Sequence, residues 1–279
     1  MIDLNFSTKK FTPNHEKIAN YIMKEIDKIP FMVESDLAKA CNVSISTVSR
    51  FWETIEFKNF KQFKQFLMQE NTFSPAEKLK SAFNKLEAEN VSNNILSGTA
   101  FLKETADNID NVKFNEMIQI LNSCNTIHIY GYGPSVCLVS LLEFRLKRFD
   151  FNINVLTQSG HELFEDLIHI KKDDVIFIFG FVYESPEIKV LLDLADKLQC
   201  KTILISDLLI SPMLEKATFS FYTSRGELWE FHSMLAPLAL VENIIVSVGK
   251  KREKKSLDKL NELYKLRHEY EKILPKVIK

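Results

Sequence analysis

The stretch Leu37-Ala38-Lys39-Ala40-Cys41-Asn42-Val43-Ser44-Ile45-Ser46-Thr47-Val48-Ser49-Arg50-Phe51 decides how the N-terminal part is organised. Asp36 to Cys41 favour a helix, and Ser35 before them is suited to cap it. Asn42 tolerates the left-handed conformation of a tight turn. Ser44 offers a second cap, after which Val48, Phe51 or Trp52, and Ile55 fall on one inward face. Two short helices around an Asn turn make a helix-turn-helix, whose second helix enters the DNA major groove and presents its early residues to base edges. Its outward positions here are Ser46, Thr47, Ser49 and Arg50, with Ser44 at the cap. Hydroxyls bond phosphates or bases, and Arg50 carries the fork that suits a guanine.

Upstream, Thr12-Pro13 is a helix start, followed by Ile18, Tyr21, Ile22 and Ile26 on one stripe, with Pro30 expected to end that helix. Downstream, Lys58, Lys61 and Lys64 alternate with Phe57, Phe60, Phe63 and Phe66. Steps of three drift by about 60° each around a helix, so the Phe stripe is a curling packing face. The lysines beside it are placed to follow a phosphate backbone.

At 279 residues the chain is long enough for two domains. Apolar residues at 46% and charged residues at 26% exclude the disordered class. A net charge of -1 excludes a uniformly basic coat, so any nucleic-acid surface is a local patch. Cys41, Cys124, Cys137 and Cys200 form no C-x-x-C pair, which argues against a zinc ribbon or disulfide scaffold and suits a reducing cytoplasm. No signal-peptide pattern is present and no apolar run approaches ~18 residues, so the expectation is a cytoplasmic protein with no membrane contact.

Residues 73–110 stay helical and polar, a connecting segment after a first domain over 1–72. From 111 to 249 the period changes. Apolar runs at 126–131, 153–157, 175–181, 202–206 and 218–222 alternate with helical patterns, including one with Val139, Leu142, Leu146 and Phe149 on one side. Continuous apolar strands between helices indicate an α/β domain, a five-stranded parallel sheet with helices on both faces. The final segment, 250–279, opens on Lys250, Lys251, Arg252, Lys254 and Lys255, read as a solvated helix start. It continues as a helix with Leu257, Leu260, Leu263, Tyr264, Tyr270 and Leu274.

Gly131-Tyr132-Gly133-Pro134-Ser135 stands where a strand ends and a helix begins. Glycines there admit a close ligand, and the helix start offers N–H groups to an anion. A tight turn without a ligand explains the pair equally well. Val136 occupies the third glycine position of the dinucleotide pattern, which disfavours a dehydrogenase. His128 lies inside an apolar strand as a core residue. His161 and His232 fall near the expected cleft, with Glu162, Glu227 and Glu230 close in sequence, but their spacing fixes no acid–base pair. No hydrolase elbow, Walker A or metalloprotease motif occurs. No catalytic residue, metal or cofactor is expected.

The sequence L-A at 37–38, V-S at 43–44, T-V at 47–48, R-F at 50–51, then Phe57, Phe60 and Lys64, resembles the N-terminal domain of the RpiR family of bacterial transcriptional regulators. Departures are Glu56 and Asn42 at positions where that family commonly has Gly, and Val33-Glu34 before the second helix. The segment from Thr126 to Gly249 resembles a SIS (sugar isomerase) domain, the usual companion of that helix-turn-helix. Gly131-x-Gly133-x-Ser135 matches its first loop, Asp173-Asp174-Val175 the lead-in to the next, and Ser211-Pro212-Met213 a later turn.

The second SIS loop, S-x-S-G-x-T in the family, reads Gly180-Phe181-Val182-Tyr183-Glu184-Ser185 here. Two hydroxyls are gone, which at ~1.5–3 kcal/mol each would weaken phosphate binding by roughly 3–6 kcal/mol. The resemblance implies effector contacts at Gly131, Gly133, Ser135, Gly180, Tyr183, Glu184 and Ser185. It implies a regulator binding a double-stranded DNA operator as a homodimer or higher homo-oligomer, with a small-molecule effector, a sugar phosphate or another metabolite. The alternatives are a sugar-phosphate isomerase and an effector-independent DNA-binding dimer.

Overall fold

Thr12 caps the first helix, α1 (Pro13–Lys24), by accepting the His15 N–H at 3.3 Å, with Pro13 at its first position. Pro30 lies outside the described residues; the computed structural model describes 11–25, 29, 32–70, 75–86, 90–209, 211–226 and 231–274. Helix α2 (Glu34–Cys41) begins earlier than Ser35 as a cap would place it. Val33 is its cap residue, and the Asp36 carboxylate reaches back to the Val33 N–H at 3.2 Å, so Ser35 lies inside the helix. Asn42 takes the left-handed conformation at φ 51°, and α3 (Ile45–Thr54) follows, capped by Ser44 accepting the Thr47 N–H at 3.2 Å.

Helix α4 (Phe60–Glu70) closes this bundle. Ile18, Ile22, Leu37, Val48, Phe51, Trp52, Phe63 and Leu67 are buried together, with the Trp52 ring stacked on Phe60 at 4.8 Å and on Phe63 at 5.0 Å. Truncating one such aromatic typically costs about 3–5 kcal/mol, most of the stability of a small domain. The Phe stripe is therefore a packing face.

The chain divides near residue 88 into two compact units. The stretch expected to connect two domains is helical but straddles this division. Helix α5 (Pro75–Lys85) belongs to the first unit; α6 (Val91–Ser97) and α7 (Thr99–Asp107) belong to the second.

The second unit holds a five-stranded parallel sheet, β1 (Ile127–Tyr130), β2 (Ile153–Leu156), β3 (Val175–Phe179), β4 (Lys201–Ser206) and β5 (Phe219–Tyr222), in the order β2-β1-β3-β4-β5. All five expected strands form. Every residue of β1 and β3 is buried because helices cover both faces. On one side lie α8 (Asn111–Ser123), α9 (Val136–Lys147) and α13 (Leu235–Lys251), meeting Ile129, Phe177 and Phe179. On the other lie α10 (Leu163–Leu167), α11 (Pro186–Leu198) and α12 (Pro212–Lys216), meeting Tyr130, Ile176 and Ile178.

His128 is a core residue as expected. It is 3.2 Å from Asp174 and 3.2 Å from Asn154, and Asp174 also accepts the Lys171 N–H at 2.8 Å. Helix α7 seals the end of β5: Glu104 accepts the Tyr222 hydroxyl at 2.7 Å and the Ser224 hydroxyl at 2.6 Å. The last helix, α14 (Glu253–Glu269), is held by Lys255 against Asp150 at 2.9 Å and begins beside Arg252, which lies over the Phe151 ring. Leu260 and Leu263 are half-buried, whereas Leu257, Tyr264 and Leu266 are exposed. Among the described residues no helix is long and apolar enough to cross a membrane.

Candidate functional site

In the first unit the buried faces of α2 and α3 lock the second of these helices with its outer face to solvent. Ser46, Ser49 and Arg50 are exposed and Thr47 is half-buried. The Ser44 hydroxyl lies 2.8 Å from those of both Ser46 and Thr47, so three candidate contacts form one hydroxyl cluster at the start of the helix. A helix N-terminus bearing hydroxyls is suited to a phosphate.

The three lysines are not equivalent. Lys58 and Lys61 are exposed. Lys64 instead donates to the Met32 carbonyl at 3.1 Å and lies over the Phe60 ring, and burial holds its pKa below the usual lysine range. A residue that motif reading passed over is Glu34. It accepts the Trp52 indole N–H at 2.8 Å and the Ser49 hydroxyl at 3.4 Å, which fixes α2 against α3. The signal available was its place as a departure from the family pattern, at the start of the helix.

In the second unit the sheet order puts β1 and β3 side by side with their following helices on opposite faces. In such sheets ligands bind in the crevice beyond the strand ends at this switch point. The loops after β1 and β3 border that crevice. Gly133 has φ +57° with open space around it, so the turn requires a residue free of the usual φ restriction. Gly131 serves packing, since a Cβ there would stand 2.9 Å from Val139. Ser135 is buried, in the short 3-10 turn that leads into α9.

The second loop turns its polar groups inward. Gly180 is enclosed by Ile188, Leu204 and Met213. Val182 is held at φ 71°, and its N–H goes to Asp207 at 2.7 Å. The Ser185 hydroxyl caps α11 by accepting the Ile188 N–H at 3.3 Å. Glu184 is half-buried, with one carboxylate oxygen unpartnered, and its charge supports Lys216 on α12. Tyr183 is 56% exposed and Tyr132 39% exposed. Burial, then the neighbouring Tyr183, Tyr130 and Glu187, push the Tyr132 phenol well above its ordinary range.

Three further residues gather here, two of which motif reading did not single out. Arg225, just beyond β5, pairs with Asp207, just beyond β4, at 3.1 Å, and both are largely buried. The guanidinium lies 4.3 Å over the Phe181 ring and donates to the Ser233 carbonyl. Burial lowers the Arg225 pKa and the Asp207 carboxylate opposes that shift. Glu187, in the first turn of α11, is the third. Position just past the end of a parallel strand is the signal that could have found Asp207 and Arg225. His161 is exposed beside Phe164; Glu227 and Glu230 lie outside the described residues.

Two family profiles match the chain. The helix-turn-helix domain of the rpiR family matches residues 3–74, and the SIS domain matches residues 120–247. The chain joins an rpiR-family helix-turn-helix to a SIS domain. This is the expected pair of domains, the architecture of a transcriptional regulator. It is 22% identical over 254 residues to an HTH-type transcriptional regulator of Caldanaerobacter subterraneus subsp. tengcongensis, covering 88% of each chain. The fold is that of the Vibrio vulnificus NanR protein complexed with ManNAc-6P, with a TM-score of 0.65 and 18% identity over 95% of this chain and 97% of that one. The sugar isomerase domain of an RpiR transcription factor from Sphaerobacter thermophilus matches 61% of this chain and 96% of its own, with TM-score 0.57 and 16% identity.

Proposed function

We propose that this chain is a cytoplasmic regulator that binds an operator as a homodimer through Ser44, Ser46, Thr47, Ser49 and Arg50, under the control of a small metabolite bound in the SIS cleft. The carrying observation is the outer face of α3: a capped helix start with clustered hydroxyls and an exposed Arg50, held rigid by the Trp52–Glu34 bond. Lys58 and Lys61 supply exposed cations on the same unit for sequence-independent phosphate contact. A dimer places two such helices on half-sites about 34–36 Å apart, one turn of the duplex.

The effector belongs between the loops after β1 and β3, on Ser135, Tyr132 and Tyr183. The neighbouring fold of NanR, complexed with ManNAc-6P, supports a sugar-derived ligand. Such a ligand changes DNA affinity only through different affinities for two arrangements of the dimer. The attached recognition helix carries this reading over that of a sugar isomerase.

The test is selection of duplexes by the full chain, followed by anisotropy titration of the enriched sequence. Arg50→Ala is expected to weaken binding by about 1–3 kcal/mol and to relax one base position. Unaltered affinity and selectivity in a folded Arg50→Ala protein would overturn the assignment of α3 as the reading helix.

A further inference from the structure

The SIS cleft has lost more than two serines. A bound phosphate needs unengaged donors, from backbone N–H groups, hydroxyls or cations. Along the second loop and into α11 four N–H donors are engaged internally. The Gly180 N–H goes to the Ile205 carbonyl at 3.0 Å, the Val182 N–H to Asp207 at 2.7 Å, and the Tyr183 N–H to the Phe181 carbonyl at 2.8 Å. The Ile188 N–H, in the first turn of α11, goes to the Ser185 hydroxyl at 3.3 Å. The near cation, Arg225, is neutralised by Asp207.

What faces the crevice instead is aromatic and acidic. Tyr132 and Tyr183, from the loops after β1 and β3, remain well exposed, and the Tyr130 ring lies 6.3 Å from that of Tyr132. Glu187 is close enough to act electrostatically on both Tyr130 and Tyr132. An anion would meet this carboxylate while Arg225 is already paired with Asp207. A sugar ring would meet it favourably, since hydroxyls donate to carboxylates in charge-assisted bonds and the apolar C–H face of the ring packs on an aromatic plane. Ser135, 5% exposed, adds a hydroxyl at the end of the first loop.

We propose that the cleft between Ser135, Tyr132, Tyr183 and Glu187 takes a sugar ring without a phosphate, a free sugar or amino sugar. This rests on the reading of the cleft as the effector site. The tyrosine pair supports the ring face, and the carboxylate and the Ser135 hydroxyl bond its hydroxyl or amino groups.

Calorimetric titration of the full chain with glucosamine against glucosamine 6-phosphate, and with N-acetylmannosamine against ManNAc-6P, tests it. In each pair the unphosphorylated member is expected to bind about tenfold tighter or better, equivalent to ~1.4 kcal/mol. Glu187→Gln should weaken the free sugar and narrow that ratio, and Ser135→Ala should weaken both members, with melting curves showing that each variant folds. Tighter binding of either phosphate ester overturns the proposal, as does an unaltered ratio in Glu187→Gln or the absence of binding by all four. Operator binding measured in parallel separates the two readings. Loss of DNA binding refutes the regulator and leaves the sugar preference standing, whereas a reversed preference refutes the ligand class and leaves the regulator intact.

Discussion

The buried indole of Trp52 donates to the carboxylate of Glu34 over 2.8 Å, joining the start of α2 to the middle of α3. Removing the acceptor leaves a buried N–H unsatisfied, at a cost of about 1–3 kcal/mol. Glu34→Ala is expected to lower the denaturation midpoint of the first unit by that amount, with Glu34→Gln losing less because an acceptor oxygen remains. Tryptophan fluorescence during urea titration reads it directly, and equal stability of Glu34→Ala and the parent would show that the bond contributes nothing.

Lys61 and Lys64 should separate in their effects on DNA and on stability. Lys61 is exposed, so Lys61→Ala should leave melting unaltered and reduce the salt dependence of operator binding by about one unit of slope if it meets a phosphate. Lys64 is turned onto the Met32 carbonyl and the Phe60 ring. Its alanine variant should melt earlier by about 1 kcal/mol, the scale of a lost hydrogen bond and cation–π contact. Matched salt titrations and melting curves of the two variants distinguish them.

Glu56 stands at φ 68°, in the left-handed region that L residues avoid at a cost of roughly 1–2 kcal/mol. Glycine relieves that cost but adds about 0.5–1 kcal/mol of chain entropy to the unfolded state. Glu56→Gly should therefore stabilise the first unit by up to about 1 kcal/mol. A destabilised variant would mean the side chain makes contacts that outweigh the strain.

Asp207 holds both Arg225 and the Val182 N–H, and the ion pair is largely buried. Breaking a buried pair by removing one partner typically costs about 3–5 kcal/mol. Asp207→Ala should destabilise the second unit by that order in a denaturant titration and free Val182 from its strained φ. A loss below about 1 kcal/mol would place the pair among ordinary surface ion pairs.

The four thiols should react on separate timescales. Burial pushes the Cys124 and Cys200 thiols up to about 11, so at pH 8 only ~0.1% of each is the reactive thiolate. Burial also raises Cys41, whereas Cys137 is exposed in the first turn of α9. Iodoacetamide is expected to modify Cys137 first, and the modification of Cys124 and Cys200 should accelerate roughly tenfold per pH unit until the pH nears 11. Peptide mass mapping checks the order. Early labelling of Cys124 or Cys200 would contradict the burial.

What could be read in advance was local. Asn42 and Ser44 act through bonds to residues within five positions, so their roles followed from residue type. The five apolar runs announced a sheet covered on both faces because burial on two sides leaves no room for alternation. Ser35 misled because the Asp36 carboxylate competes for the same helix start and takes the Val33 N–H. The cleft was less legible still. Val182 and Asp207 are 25 residues apart in sequence, and their meeting depends on β3 and β4 lying side by side.

Helices α9 and α11 leave the sheet on opposite sides, one into the layer around Leu142 and Val241, the other into the layer around Leu191 and Met213. The crevice between their starting loops is thus the place where two otherwise separate hydrophobic layers come within reach of a single small molecule. A guest seated there acts as a wedge common to both. Substitutions deep in either layer, far from the guest, should then shift its affinity, and a scan of conservative swaps at Leu142 and Leu191 would map how each layer answers.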